Sequence, residues 1–323
     1  MSRSTAGDPA ELVTRAKSGD PRAVARLISL VEDQSPMLAD VARALAPHTG
    51  RAHVVGLTGA PGVGKSTTTS VLVTALRAGG RRVGVLAVDP SSPFTGGALL
   101  GDRVRMQEHA TDSGVFIRSM ATRGHLGGLA AAAPQAVRVL DAAGCDVVLI
   151  ETVGVGQSEV EVAGLADTTV VLLAPGMGDA IQAAKAGILE IGHVYCVNKA
   201  DRDGADVTAR ELRTMLAIGR NVEGEGAPRW RPPILKTVAS RAEGTNQLLA
   251  EIDGHRDYLI EHHELQGRRR LRARAEIEAL IVASVRANLS RGDASQQMGR
   301  LAAEVVSGDT DPYTAAATFT PHP

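Results

Sequence analysis

Residues 59–66 carry the clearest chemistry in the sequence. They read Gly-Ala-Pro-Gly-Val-Gly-Lys-Ser, which matches the phosphate-binding pattern G-x-x-x-x-G-K-S between an apolar run and a stretch of helical composition. Glycines let such a loop turn backbone N–H groups towards an anion, and the following helix start adds positive potential. Lys65 can then reach the outer phosphates, and the Ser66 hydroxyl can bind Mg²⁺. The phosphate-binding residues predicted here are Gly59, Ala60, Pro61, Gly62, Val63, Gly64, Lys65, Ser66 and Thr67.

A second segment indicates which base the nucleotide carries. Residues 198–201 read N-K-x-D and follow an apolar run. The Asp201 carboxylate can accept hydrogen bonds from the ring N–H and the exocyclic amine of guanine, whereas adenine offers no matching donor pair on that edge. Downstream of a phosphate loop, this motif favours GTP over ATP, and we expect residues 237–240 to offer backbone N–H groups to the guanine oxygen. The predicted base-binding residues are Asn198, Lys199, Asp201, Val238, Ala239 and Ser240.

Carboxylates at the ends of apolar runs predict a metal site. Glu151 ends one such run, and Gly154 follows at the spacing of a D-x-x-G motif with Glu in place of Asp. An unpaired buried charge is costly, so Glu151 needs a positive partner, and Mg²⁺ beside the phosphates fits best. Asp89 ends another run and could serve the same ion or only form an Asp-Pro turn. The magnesium ligands predicted from these positions are Ser66, Asp89 and Glu151, whereas the position of Asp102 alone does not decide its role.

The order of apolar runs and helical stretches predicts the fold. Short β-branched runs alternate with longer helical segments, which is typical of a doubly wound, mostly parallel α/β sheet. The predicted strands are 54–57, 83–88, 115–117, 147–150, 169–173, 194–197 and 234–238, and the predicted helices are 65–78, 127–142, 179–191, 205–218 and 246–258. Asp-Pro pairs at residues 8–9 and 20–21 predict capped helices before the sheet. We therefore expect an N-terminal helical extension (1–50), a P-loop domain (51–262) and a C-terminal helical extension (263–323).

Composition excludes several classes of protein. Aromatic residues make up 2% of the chain, so we expect no surface on which the bases of single-stranded nucleic acid could stack. The net charge is −1, so we expect no overall electrostatic field that would attract a polyanion or a membrane surface. The two cysteines lie in apolar runs without a C-x-x-C pair, and no run approaches the roughly 20 apolar residues of a membrane span. We expect a cytoplasmic protein with neither a nucleic-acid nor a membrane partner.

Together these segments resemble the methylmalonyl-CoA mutase-associated GTPases, often called the MeaB or ArgK family. The resemblance rests on GLTGAPGVGKST, VDPSSPFTGGALLGDRVRM, IRSMATRGHLGG, ETVGVGQSEVEV, PGMGDAIQAAKAGILEI and VNKAD, and covers most of residues 10–265. It implies a homodimeric GTPase, dimerising through its C-terminal segment, that gates delivery of adenosylcobalamin to a mutase and protects that enzyme. The family loop usually reads T-S-A, whereas Val238 replaces the serine here.

The resemblance also implies which residues act in hydrolysis. By position, Ser66, Asp89, Asp102 and Glu151 are similar to the magnesium-site residues of the family. Lys185 matches a mobile switch lysine that shares its segment with Asp179 and Gln182, and Arg105 matches an arginine near the phosphates. By its own position, Lys185 could equally be a solvated helix lysine. Gln157 could orient the attacking water, although it lies three residues after Gly154 rather than directly after it. We therefore predict Lys185, Arg105 and Gln157 as catalytic residues and expect slow hydrolysis until a partner enzyme binds.

Several other polar residues allow more than one interpretation. His125 follows a Thr-Arg-Gly sequence and could act in a switch or contact a partner, and residues 262–263 are expected to be surface histidines. Five arginines within 268–274 suggest nucleic-acid binding, but an apolar stripe follows them at helical spacing, which favours a packing or dimerising helix. The stripe consists of Ile277, Leu280, Ile281 and Val285.

Three other functions remain open at this stage. A nickel or cobalt insertase would need clustered Cys and His ligands, a small-molecule kinase would use the phosphate loop without needing N-K-x-D, and a scaffold would bind nucleotide without hydrolysing it. The sequence does not identify the acyl-CoA mutase that would be served.

Overall fold

The computed structural model describes residues 8–90, 107–109, 111–122, 128–152, 163–176, 190–221 and 230–319. Contacts divide the chain into two compact units, Met1–Arg272 and Ala273–Pro323. The first unit includes the N-terminal helices as well as the sheet. The domain boundaries predicted near residues 50 and 262 stay predictions. None of the helices in the described part of the chain is long and apolar enough to cross a membrane.

A seven-stranded parallel sheet forms the centre of the first unit. Its strands β1 to β7 are His53–Thr58, Val83–Pro90, Val115–Thr122, Val147–Thr152, Thr168–Leu173, Val194–Val197 and Ile234–Lys236. Their order across the sheet is β3-β2-β4-β1-β5-β6-β7, so the chain winds outwards in both directions from β1. Every residue of β1, β4 and β5 is buried, as expected for strands covered on both faces. The predicted doubly wound α/β fold is confirmed.

Helices flank this sheet and extend beyond it at both ends of the chain. Helices α1 to α10 are Pro9–Lys17, Pro21–Glu32, Leu38–Leu45, Lys65–Ala78, Gly128–Ala142, Ala205–Asn221, Thr245–Glu261, Glu264–Leu289, Gly292–Ser307 and Pro312–Ala317. Asp8 and Asp20 cap α1 and α2 by accepting hydrogen bonds from backbone N–H groups of the first turn, as the Asp-Pro pairs predicted.

Two apolar cores lie on opposite faces of the sheet. On one face, α4 and α7 share an apolar cluster with alternate residues of the strands, and this cluster includes Leu72, Ile252 and Leu57. On the other face α5 and the N-terminal helices share a core, in which Leu27 and Leu140 are fully buried. The N-terminal helices therefore take part in the packing on this face of the sheet.

The first turns of α8 are attached to the sheet through arginines. The fully buried carboxylate of Asp167, just before β5, accepts hydrogen bonds from Arg269 at 2.8 Å and from Arg272. The same carboxylate accepts the backbone N–H of Val54 in β1 at 3.1 Å. Burial raises the pKa of Asp167, but the two guanidinium groups outweigh it and hold the pKa below its usual range. These arginines bind the protein's own carboxylate and carbonyl groups, which favours the packing-helix interpretation.

A cluster of three histidines lies near the same attachment. The Thr168 hydroxyl is 2.8 Å from both His53 Nε2 and His255 Nδ1, and the rings of His255 and His193 are 4.2 Å apart. Burial is the largest cause that lowers the pKa of His53 and His193 to about 4 and the pKa of His255 to about 2. Trp230 packs edge-on against His255 at 4.9 Å. All three histidines are therefore neutral at pH 7.

The second unit contains the rest of α8 together with α9 and α10. None of the residues of α9 and α10 is buried, and α8 has no buried residue along its length. The predicted apolar stripe on α8 is more than 40% exposed at each position. The stripe consists of Ile277, Leu280, Ile281 and Val285.

Candidate nucleotide site

The phosphate loop connects β1 at the centre of the sheet to the start of α4. Gly59, Gly62 and Gly64 have φ angles of 143°, 79° and 98°, a region that side chains with a Cβ rarely adopt. Space imposes the same requirement, since a Cβ atom at Gly59 would collide with the carbonyl of Leu172 and one at Gly64 with the amide of Asn198. Gly59 and Gly64 are thus needed both for the turn and for close packing, against β5 and the Asn198 side chain respectively, whereas Gly62 is needed for the turn alone.

Lys65 and Ser66 occupy the first turn of α4 and are buried. The Lys65 ammonium donates to the backbone carbonyls of Gly59 and Ala60 at 2.7 and 3.1 Å. This places a positive charge inside the curve of the loop, as the motif predicts. Thr67 is exposed at the same turn, and its contact with a phosphate stays a prediction.

Glu151 lies directly beside the phosphate loop. Strand β4 pairs with β1 so that Glu151 is level with Leu57, and the side chain is 3% exposed. Its Oε1 accepts a hydrogen bond of 2.5 Å from the Ser66 hydroxyl. A hydroxyl and a carboxylate held together at a helix start are the hard oxygen donors that Mg²⁺ prefers. The pair therefore fits the predicted ion.

Asn198 joins the phosphate loop to the base-binding loops. Its Nδ2 donates to the carbonyl of Val63 at 2.8 Å, and its Oδ1 accepts from the backbone N–H of Ala239 at 3.0 Å and from the Thr237 hydroxyl at 3.2 Å. The side chain is 2% exposed. We predicted that this amide contacts the base; in the structure it connects three loops, and the phosphate and base regions form one continuous edge.

Lys199 and Asp201 complete the N-K-x-D motif on the outer side of this edge. The Lys199 ammonium donates to the carbonyl of Gly62 at 2.6 Å, which adds a second connection to the phosphate loop. The Asp201 side chain is 39% exposed and therefore accessible to a base. Its Oδ2 lies 3.6 Å from the guanidinium of Arg241. Sequence reasoning missed Arg241, because the charge of a loop residue does not indicate what it faces.

Hydrogen bonds within the protein use two backbone N–H groups of the loop after β7. The backbone N–H of Val238 donates to the carbonyl of Glu243 at 3.1 Å, and the N–H of Ala239 is used by Asn198. Both N–H groups are engaged within the protein in this structure, and their donation to the guanine oxygen stays a prediction. Ser240 is exposed at the same turn.

Other predicted residues lie outside the described part of the chain. The backbone of Asp89 is the exception, since it belongs to β2, whose pairing with β4 brings Ala87 level with Glu151. Asp89 thus follows on a neighbouring strand at the same edge, while its side chain is not described. The residues outside the described ranges are Asp102, Arg105, His125, Gly154, Gln157, Asp179, Gln182 and Lys185, and most of the predicted helix 179–191 lies there as well.

A polar contact that the sequence did not predict holds residues 107–109 against α4. Ser70, one helical turn after Ser66, donates to the carboxylate of Glu108, and its hydroxyl lies 3.2 Å from His109 Nε2. His109 is 9% exposed. These contacts fix residues 107–109 to the phosphate-loop helix, shortly after Arg105 in the sequence. The nearness of these residues to Arg105 suggests a contact with the site, but no feature of the sequence identifies Ser70 as the partner.

The described residues do not contain the clustered metal ligands that a nickel or cobalt insertase would need. Among them there is no group of three or more His, Cys, Asp and Glu side chains that could hold a metal ion. Cys145 and Cys196 are buried free thiols, in line with the core role expected from the sequence.

Comparisons with known proteins agree with this geometry. Over 310 residues the chain is 48% identical to a Pyrococcus abyssi protein whose name assigns it to the GTPases, with 95% of this chain and 94% of that protein covered. It is 37% identical to GTPase ArgK of Escherichia coli over 243 residues, or 74% of this chain and 73% of ArgK. The crystal structure of LAO/AO transport system kinase matches with a TM-score of 0.72 and 25% identity over 98% of both chains.

A mouse protein named methylmalonic aciduria type A homolog, mitochondrial, is 35% identical over 263 residues, which is 81% of this chain and 63% of the mouse protein. The family described as methylmalonyl Co-A mutase-associated GTPase MeaB matches residues 24–294. The chain therefore belongs to the MeaB family of mutase-associated GTPases, and it is a GTPase.

Proposed function

We propose that this GTPase couples GTP binding and hydrolysis to the loading of adenosylcobalamin into a methylmalonyl-CoA mutase or a related acyl-CoA mutase, and to the protection of that enzyme. The observation that carries the nucleotide part is the Asn198 amide, which joins the phosphate loop to the loops around Asp201. Phosphate and guanine recognition then belong to a single site. The family description and the name of the mouse relative support the mutase as partner.

In this proposal each side chain of the site has a defined task. Backbone N–H groups of the phosphate loop and the Lys65 ammonium bind the phosphates, and Asp201 accepts from the guanine ring and amine. Ser66 and Glu151 would hold Mg²⁺, together with Asp89 and Asp102. The ion supplies positive charge that neutralises the phosphate oxygens.

We further propose that hydrolysis is slow until the mutase binds. The support is the family resemblance and the position of Gln157, three residues after Gly154 rather than directly after it. Lys185 and Arg105 would stabilise the charge that develops on the transferred phosphate, and Gln157 would orient water. Residues 107–109, fixed to α4, would position the segment that carries Asp102 and Arg105.

We also propose that the protein is a homodimer formed through α8. The support is the exposed apolar stripe, since a row of large apolar side chains at helical spacing is typical of an interface. Replacing Ile281 by Glu should dissociate the dimer in sedimentation experiments, whereas Glu278→Gln, one turn away on the same helix, should not. A wild-type protein that sediments as a monomer at micromolar concentration would contradict this.

A cytoplasmic location stays a prediction, supported by the two buried thiols that form no disulfide.

The deciding experiment measures GTP hydrolysis by the full chain with and without the cobalamin-dependent mutase. We expect low activity alone, at least tenfold stimulation by the mutase, and cobalamin transfer that depends on GTP. Glu151→Gln should abolish Mg²⁺-dependent phosphate release, while Glu211→Gln, on the exposed surface of α6, should leave it unchanged. Fast hydrolysis without partner, phosphate transfer to a small metabolite, or tight Ni²⁺ binding would each overturn the proposal in favour of one of its alternatives.

A further inference from the structure

Two threonine hydroxyls at the carboxyl ends of β1 and β4 are buried without a hydrogen bond. Thr58 ends β1, Thr152 ends β4, and both residues are completely buried. Neither hydroxyl has a hydrogen-bond partner within the part of the chain that the structure describes. A buried hydroxyl without a partner lowers stability, so two of them on neighbouring strands need an explanation.

Both threonines adjoin the residues that are proposed to bind the phosphates and the metal ion. Thr58 directly precedes Gly59, the first residue of the phosphate loop, and Thr152 directly follows Glu151. Leu57 is level with Glu151 in the two parallel strands, so the two threonines are the next residues of each strand. Glu151 points towards α4, and successive side chains of a strand alternate between faces. Both hydroxyls therefore lie on the opposite face, the one covered by α5.

The sheet begins to open between β1 and β4 at this level. The pairing of these two strands ends one residue before the threonines. Thr58 is still paired with Val171 of β5, and Thr152 is still paired with Val88 of β2. Each threonine is thus held by the strand on its outer side, and the distance between the ends of β1 and β4 can change without breaking the sheet.

The same two strand ends carry the groups that would hold a magnesium nucleotide. The phosphate loop and Ser66 follow β1, and Glu151 belongs to β4. When these groups hold one ion and its phosphates from both sides, they draw the two strand ends together. Neighbouring strands are about 4.8 Å apart, and a hydroxyl both donates and accepts, so a small approach lets the two threonines bond to each other.

We propose that Thr58 and Thr152 are positioning residues, whose hydroxyls hydrogen-bond to each other when the magnesium nucleotide is bound and so fix the phosphate loop against Glu151. The inference rests on the proposed magnesium site. Because this hydrogen bond belongs to the bound state, its formation contributes to the affinity for the nucleotide. Valine has the shape of threonine without the hydroxyl, so it should weaken the bound state without destabilising the free protein.

The test measures GDP binding to the full chain by calorimetry, in magnesium buffer and in EDTA. Thr58→Val and Thr152→Val should each weaken binding at least about fivefold in magnesium, the size expected for one hydrogen bond, and leave it unchanged in EDTA. The double variant should bind no more weakly than either single variant, because all three lack the same hydrogen bond. Thr152→Ser keeps a hydroxyl and should bind like the wild type. In urea without nucleotide, both valine variants should unfold at the same or a higher concentration than the wild type.

Thr169→Val is the matched control. The Thr169 hydroxyl is also buried and lacks a hydrogen-bond partner among the described residues, and it lies on the same face of the sheet, level with Gly56 on β5. This variant should keep the wild-type affinity for GDP in magnesium, and an equal loss there would refute the assigned pair.

Two other results separate this inference from the proposed magnesium site. If Thr58→Val and Thr152→Val bind GDP as tightly as the wild type, or if their losses multiply in the double variant, the inference is wrong while the magnesium site stands. If the affinity of the wild type does not depend on Mg²⁺, the proposed ion site fails and the inference fails with it.

Discussion

Acid should destabilise this protein well above the pH at which carboxylates titrate. The three histidines near β5 have folded-state pKa values of about 4 for His53 and His193 and about 2 for His255. In the unfolded chain a histidine has a pKa of about 6.5. Since the folded pKa values are depressed, each histidine contributes stability that is fully present above pH 6.5. That stability is lost as the pH falls towards 4, because only the unfolded chain binds the proton.

The size of the effect follows from the two sets of pKa values. Lowering the pH from 7.5 to 5.5 should cost about 1.3 kcal/mol for each fully buried histidine. His53 and His255 are 1% and 0% exposed, whereas His193 is only partly buried and contributes less. We therefore expect the free energy of unfolding to fall by about 3 kcal/mol over this interval.

Urea unfolding followed by fluorescence measures this loss. Trp230 is the only tryptophan of the chain and contacts His255, so its emission reports on this region. His255→Gln should reduce the pH-dependent loss by about 1.3 kcal/mol, whatever its effect at pH 7.5. His262→Gln, at an exposed position on the same segment, should keep the wild-type pH dependence. A wild-type loss below about 1 kcal/mol would mean that the folded protein binds these protons, and the reasoning would be refuted.

Three further substitutions test other parts of the structure. Asp167→Asn leaves two arginines without their carboxylate and should lower the free energy of unfolding by about 3 kcal/mol in chemical denaturation, whereas Asp40→Asn on the surface should change it by less than about 0.5. Gly64→Ala forces a side chain against the Asn198 amide at a positive φ angle, so GDP binding in calorimetry should weaken at least tenfold; unchanged affinity would contradict the role of this glycine. Glu151→Gln should remove most of the dependence of GDP affinity on Mg²⁺, and an unaltered magnesium titration would exclude Glu151 from the ion site.

The parts of the fold that repeat along the chain were predictable from the sequence. Local sequence patterns predict buried strands and capped helices, and most predicted elements match the structure within a few residues. Strand β3 was predicted to end at residue 117 but continues to Thr122. The prediction stopped early because Arg118 interrupts the apolar pattern, whereas in the structure its guanidinium pairs with Glu32. Strand β7 ends at Lys236 rather than residue 238, because Val238 pairs with Glu243 instead of the sheet.

The residues of the candidate site fall into two groups: those that local motifs predict, and those whose partners are distant in the sequence. Lys65, Ser66 and Glu151 could be placed from motifs because adjacent parallel strands bring their carboxyl ends to one edge. The contacts of Asn198 depend on which loops meet in space, and a residue type does not encode its distant partners. The arginines of α8 illustrate this point, since the sequence does not show that Arg269 and Arg272 pair with the buried carboxylate of Asp167.

The contact around Asp167 has a mechanical consequence. Arg269 and Arg272 lie in the first turns of α8, which begins at Glu264. Both arginines bind the Asp167 carboxylate, which also accepts the backbone N–H of Val54 near the start of β1. The other end of β1 leads into the phosphate loop. A displacement of the first turns of α8 would therefore act, through the Asp167 carboxylate, on the strand that supports the phosphate loop.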